Sequence, residues 1–412
     1  MEFTEESNEL TEFLLPIFNN FSIKKSPLKQ KKINNILKML YNDIKLADRW
    51  VTTEQTLNKI QRYLKNNETK ENLLPTWVLN ESKYIPEFVR SHIIDNLTGY
   101  MVYTSRVGDR EIEIYFGLLC AEDFNSVGTF DKYVKKMLIW LKIAFKYAPP
   151  TCSKKLKIYG FLTPFQKNIP DNKFTTISQD HCNSAMTTSC VPHGEIIVYR
   201  KQEFFKVFIH ETFHTLGLDF SNMPLTNFNK KVSRIFPINS EFNLFEGYAE
   251  LWASTINCLL SAYFLTGNKE EDFYLYNEFC NRFEQVFSLF QMTKILDFMG
   301  LDYTHLYNND SISIRQYLFK EKTNVFAYYI IKTILLYNNT EFLLWCKKHN
   351  DNLITFKKTT DNLDSFMKFI VSKYKNPQFL NDIKKMHGFL KKQQLMQNQL
   401  TKTMRMSICE LN

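Results

Sequence analysis

Residues 208–220 read FIHETFHTLGLDF, with two of the chain's eight histidines four positions apart and a glutamate directly after the first. In a helix, positions i and i+4 lie about 40° apart around the axis, so His210 and His214 project from one face, a turn apart. Two imidazoles so placed can bite one cation. Glu211 lies about 100° round from His210, where its carboxylate reaches a water on that cation without being a ligand, the place of a general base. A chance HExxH in a chain of this composition is expected roughly 0.01 times. The pattern asks for zinc, and the open question is the third donor, because a catalytic zinc takes three protein ligands and leaves a position for water.

Two candidates compete. HETFHTLGLD fits HExxHxxGxxD, in which Gly217 breaks the helix and the chain turns back to offer Asp219. Downstream, NLFEGYAELWA sets Glu246 and Glu250 at i and i+4 of another helix. There one carboxylate can bind metal while the other accepts the outer imidazole N–H of a ligand histidine.

HETFH followed by FEGYAE resembles the gluzincin branch of the zincin metallopeptidases, whose second helix carries the ligand glutamate. That resemblance implies Glu246 as the ligand and Glu250 behind it. The runner-up resemblance, to metzincins and snapalysin-like enzymes, implies Asp219 instead, but Met223-Pro224 follows too closely to serve as their methionine turn. A weaker similarity is to uncharacterised metallopeptidases of large DNA viruses. The likeness covers residues 95 to 265 or so and implies an α+β fold, with a zincin-like upper lobe and a mainly helical C-terminal lobe. It also implies that the strand before the active helix, Glu195, Ile196, Ile197, Val198 and Tyr199, pairs with an extended peptide. A Tyr or His would donate to the developing oxyanion. Tyr328 is the choice, with Tyr329 and His305 as other candidates, although tyrosines at a helix boundary ordinarily just half-bury.

Working outward, FDKYVKKMLIWLKIAFKYA is an amphipathic helix ended by Pro149-Pro150. YMVYTSRV and REIEIYFGLL alternate around Gly108-Asp109 as a hairpin. KLKIYGFLTP and GEIIVYR are further strands, and the polar stretch from Gln166 to Cys190 is a long loop. The order to the active helix is β-β-α-β-β-α. Residues 1–75 read as helices, TTEQTLNKIQRYL beginning one with a threonine cap. Beyond Glu241 nearly every segment has helical period, with turns near Gly267, Gly300 and Asn338, and the final stretch from Lys391 is expected to fray. Three regions follow: an N-terminal helical cover at 1–90, the mixed sheet and HExxH helix at 91–220, and a helical lobe carrying the third ligand at 221–412. There are no internal repeats.

With 44% hydrophobic and 23% charged residues in 412, the chain is a folded globular protein. Its net charge of +9 reflects a lysine excess spread over solvated faces, without glycine-arginine tracts or zinc knuckles, so nucleic acid is not an expected partner. The longest apolar run, LWASTINCLLSAYFL, is about 15 residues, short of the ~20 that cross a bilayer, so no membrane insertion is expected. The eight cysteines are dispersed without CxxC, and MEFTEESNEL lacks the basic-then-apolar pattern of a secretory signal. Reduced thiols and a cytoplasmic location, the host cytoplasm or a virion if viral, follow as expectations. His181, His193, Cys182 and Cys190 flank the long loop and read as ordinary residues.

The function that emerges is zinc-dependent hydrolysis of an intracellular peptide or protein. Its rivals are a zincin-like non-catalytic scaffold, such as a virion or assembly component, and a DNA-associated protease. Oligomeric state and specificity have no sequence signature here.

Overall fold

The computed structural model describes residues 1–21, 27–63, 74–80, 83–119, 127–267 and 269–412. The fold is α+β, a six-stranded mixed sheet in a largely helical chain. It divides into two compact units, one of Met1–Leu40, Asn168–Cys182 and Asp219–Asn412, the other of Tyr41–Lys167 and Asn183–Leu218. These cut the chain differently from boundaries at 90 and 220: residues 41–90 group with the sheet and 1–40 with the C-terminal helices.

In the sheet-bearing unit the strands are β1 (Asn58–Tyr63), β2 (Gly99–Val107), β3 (Arg110–Leu118), β4 (Lys155–Gly160), β5 (Ala185–Thr187) and β6 (His193–Val198), in the spatial order β1-β2-β3-β4-β6-β5. The β2–β3 hairpin closes at the Val107–Arg110 pair across Gly108, which takes φ 63°. The β3–β4 and β4–β6 pairs are parallel, and a parallel pair needs a long crossover. Helix Val127–Ala144 lies in the first of these connections.

Both faces of the sheet are covered. On one, helix Glu87–Asn96 brings Val89 and Ile93 to Tyr100, Tyr159, Phe161 and Tyr199. On the other, Phe116 stacks on Phe130 at 4.7 Å and meets Phe204 at 5.7 Å. Phe116 is paired in register with Gly160. A Cβ at residue 160 would stand 2.8 Å from the Phe116 ring, so the glycine makes room for the aromatic layer.

Two expectations fail at and beside the sheet. Residues 58–63 are strand, not helix, and pair antiparallel along β2. All six are exposed, so no buried stripe demands a helix, and the unpaired edge of β2 decides. The stretch from Gln166 to Cys190 is also not all loop, since it contains β5 and a short helix, Gln179–Cys182.

The other unit is helical, as expected. Helices Leu244–Leu265 and Glu270–Phe298 are its longest buried pieces, and turns fall at Gly267 (φ 58°), Gly300 (φ 74°) and Asn338. The final segment does not fray: residues 403–409 are buried. Arg405 is fully buried and bridges Glu6 and Glu410 at 2.5 and 2.7 Å. Gln291 donates to the carbonyl of Arg405 at 2.6 Å, Tyr329 to that of Met404 at 2.7 Å and Lys332 to that of Met406 at 2.7 Å. Side chains of the surrounding helices thus satisfy the backbone of an irregular buried segment.

Among the described residues no helix is long and apolar enough to cross a membrane. Replacing Gly160 by Ala should cost about 1–3 kcal/mol through overpacking against Phe116, seen as a lower urea midpoint. An unchanged midpoint would show that the ring moves aside freely.

Candidate metal centre

Helix Phe204–Thr215, which carries HETFH, is buried along its whole length, so each polar side chain needs a partner inside the protein. Its start is fixed by a polar knot after β6. Glu203 takes φ 60° and pairs with Lys167, both side chains being 1% exposed. Gln202 accepts from the Lys167 amide at 2.9 Å, and the buried guanidinium of Arg200 donates to the carbonyls of Asn183 and Gln166 at 3.0 and 2.8 Å. The two variable positions of the motif face helix Val127–Ala144: Trp140 Nε1 donates to Thr212 at 2.8 Å, and Phe213 stacks on the Trp140 ring at 6.2 Å.

The histidines converge. Their Nε2 atoms are 3.1 Å apart, and the rings are 6% and 8% exposed. Two nitrogens on one tetrahedral zinc, each at 2.0–2.1 Å, stand about 3.3 Å apart. The pair therefore needs almost no rearrangement to share an ion. Glu211, the residue between them in sequence, is 8% exposed.

The end of the helix is held by a feature the sequence reading missed. Cys152 and Cys190 form a disulfide, against the expectation that all thiols are reduced, while Cys182, Cys258, Cys280, Cys346 and Cys409 are free and buried. Cys120 lies outside the described residues. The Cys190 amide donates to the carbonyl of His214 at 3.2 Å, and the Gly217 amide donates to the same oxygen at 3.0 Å. Gly217 takes φ 63°, and a Cβ there would meet Cys190 Cβ at 3.2 Å and Cys152 Sγ at 3.3 Å. The motif's glycine is thus required twice, by backbone conformation and by close approach. No spacing signal marks this bridge, since its partners are 38 residues apart.

The expected substrate strand is placed differently. Ile196, Ile197 and Val198 pair with β5 on one side and with β4 on the other. Glu195 exchanges hydrogen bonds with Thr188, its amide donating to the hydroxyl at 3.0 Å and its carbonyl accepting from the Thr188 amide at 3.1 Å. With both edges of β6 occupied, a peptide cannot add there, and the terminal strand on this side of the sheet is β5. Tyr199 donates from its hydroxyl to the Tyr84 carbonyl at 2.8 Å.

The helical unit holds the carboxylates. Glu246 lies in the first turn of helix Leu244–Leu265, where the positive helix end favours an acid. It is half-buried, and the Tyr328 hydroxyl donates to its Oε2 at 3.2 Å. Tyr328 sits in a π-helical turn, Phe326–Ile331. Gly247 lets that turn approach, since a Cβ there would stand 3.0 Å from both the Ala327 carbonyl and Ile331 Cγ2. Glu250, one turn on from Glu246, is 1% exposed. Asp219 is fully buried, and its Oδ1 accepts from the amide and hydroxyl of Ser221 at 3.0 and 2.8 Å.

The other candidates have structural duties. Tyr329 bonds the Met404 carbonyl, His305 caps a short helix through the Asp302 amide at 2.9 Å, and His181 accepts from the Ser178 amide at 3.1 Å. His193 is exposed at the start of β6.

No protein-family model, no curated protein and no solved structure matches this chain.

Thr212→Val keeps the side-chain shape but leaves the buried indole N–H of Trp140 without its acceptor, so a loss of about 1–3 kcal/mol is expected in urea unfolding. Gly247→Ala sets a helix-propensity gain of about 1 kcal/mol against overpacking of about 1–3 kcal/mol. A net loss is expected, together with separation of Tyr328 from Glu246 in a structure of the variant. A stabilised variant with the Tyr328–Glu246 bond intact would refute the close-approach account.

Proposed function

We propose that the chain is a zinc-dependent peptidase of zincin type, with His210, His214 and Glu246 as metal ligands and Glu211 as general base. The observation that carries the reading is the 3.1 Å convergence of two buried Nε2 atoms on one helix. Glu246 is the third donor that the EGYAE motif offers. Two imidazoles and one carboxylate are the donor set of a catalytic zinc with a position left for water. Asp219 is the weaker third donor, because its Oδ1 already closes a turn onto Ser221. The mixed sheet flanked by the HETFH helix supports a zincin-like reading of the sheet-bearing unit.

Zinc, when bound, would acidify a water and polarise the scissile carbonyl. Glu211 then takes the proton of the attacking water and passes it to the leaving amine, so that peptide hydrolysis needs one carboxylate in two protonation states. Tyr328 orients the Glu246 carboxylate through its 3.2 Å hydrogen bond, and donation to an oxyanion would require that hydroxyl to leave Glu246 first. Glu250 is assigned to the support of the ligand histidines. The substrate is a peptide or protein met in the cytoplasm, although the Cys152–Cys190 bond points away from a reducing compartment.

The test combines metal analysis with a peptide-library digest. Wild type should carry zinc and cleave, Glu211→Gln should bind as much zinc as wild type and lose about 10²- to 10⁴-fold in kcat, and His210→Ala/His214→Ala should lose cleavage together with one zinc relative to wild type. Zinc held by wild type with no cleavage of any peptide would leave a non-catalytic scaffold as the reading. Undiminished cleavage by Glu211→Gln would remove that residue as the base.

A further inference from the structure

The helical unit contains a second cluster of metal-ligating side chains, which the peptidase reading does not use. Cys258 on helix Leu244–Leu265, Glu284 on helix Glu270–Phe298 and Cys409 in the buried final segment each offer one ligand atom, all within 4.8 Å of one another. Cys280, one turn before Glu284 on the same helix, is hydrogen-bonded to Cys409. Cys258, Cys280 and Glu284 are fully buried, and Cys409 is 6% exposed.

Glu284 is the informative member. Its Oε1 accepts from the Ser407 hydroxyl at 2.5 Å and from the amides of Ile408 and Cys409 at 2.8 and 2.9 Å. Its Oε2 is buried and has no hydrogen-bond partner. A buried carboxylate oxygen with nothing to accept from is unfavourable, and the sulfurs of Cys258 and Cys409 within 4.8 Å, with Cys280 bonded to Cys409, are the donors that a borderline-soft divalent ion prefers.

We propose that Cys258, Cys280, Cys409 and Glu284 Oε2 form a closed zinc site that staples the final segment to the two long helices. Four protein ligands with no place for water are the pattern of a structural zinc rather than a catalytic one. Zinc entry displaces the three thiol protons to solvent, leaving three thiolates and a carboxylate around the ion with a net charge of −2. Lys332, whose ammonium donates to the Met406 carbonyl at 2.7 Å and whose charge favours the Cys258 thiolate, offsets part of it. Occupancy should fall as pH falls, because zinc binds thiolates and protons compete for the sulfurs.

The proposal is independent of the peptidase reading and is tested where the histidine pair is disabled. Full-length His210→Ala/His214→Ala should still hold one zinc per chain, and cobalt(II) loaded in its place should give thiolate-to-cobalt charge-transfer absorption in the near ultraviolet. Adding Cys258→Ser/Cys409→Ser should abolish both the metal and the band. A histidine variant without metal and without the band overturns the site, and this measurement decides even if the cysteine variant fails to fold. Metal and band that survive the cysteine changes overturn it equally. Loss of peptidase activity in the histidine variant, by contrast, bears only on the other centre.

Discussion

A helix with no solvent-facing side must find a partner for every polar side chain it carries, and residues 204–215 are such a helix. Thr212 is met by Trp140, and the Thr215 carbonyl by the Ser153 hydroxyl at 3.1 Å. The two imidazoles meet each other at Nε2. Two N–H hydrogens cannot both point into a gap of 3.1 Å, so at least one lone pair faces inward. The knot of Arg200, Lys167 and Glu203 at one end and the Cys152–Cys190 loop at the other fix where it is presented.

Much of this was legible because helix and strand periods are local. The β2–β3 hairpin, the crossover helix and the HETFH helix all follow from short-range patterns, and the histidine pair needs only a spacing of four. Tyr328 was one choice among several tyrosines as donor to an oxyanion, and its hydrogen bond to Glu246 was not foreseen. What singles it out, the fit of Gly247 under a π-helical turn, depends on a contact between residues 80 positions apart in the chain.

The misses share one cause: the deciding partner is remote. NKIQRY becomes a strand because β2 has an open edge, and nothing in six exposed residues announces it. GEIIVYR reads correctly as a strand, yet its suitability for a peptide depends on its neighbour, and β5 occupies that edge from inside a stretch that reads as loop. Cys152 and Cys190 carry no spacing signature, so their bridge is visible only once β4 and β6 lie side by side.

The final segment shows the same cause acting in both directions. TMRMSICEL follows the polar stretch from Lys391 and has no helical stripe to predict burial, and its backbone is satisfied by side chains rather than by a ladder. Those side chains are Glu284, Gln291, Lys294 and Lys332, all buried. In a helical-wheel reading of Glu270–Phe298, the first three would mark a solvated face, which blurs the amphipathic stripe. The helix is polar inside because the segment it encloses is irregular, and the segment tolerates irregular backbone because the helix is polar inside. Neither half of that arrangement is favourable alone: apolar replacements for Gln291 and Glu284 would strand the carbonyls and amides of residues 403–409, and a missing segment would strand the glutamate.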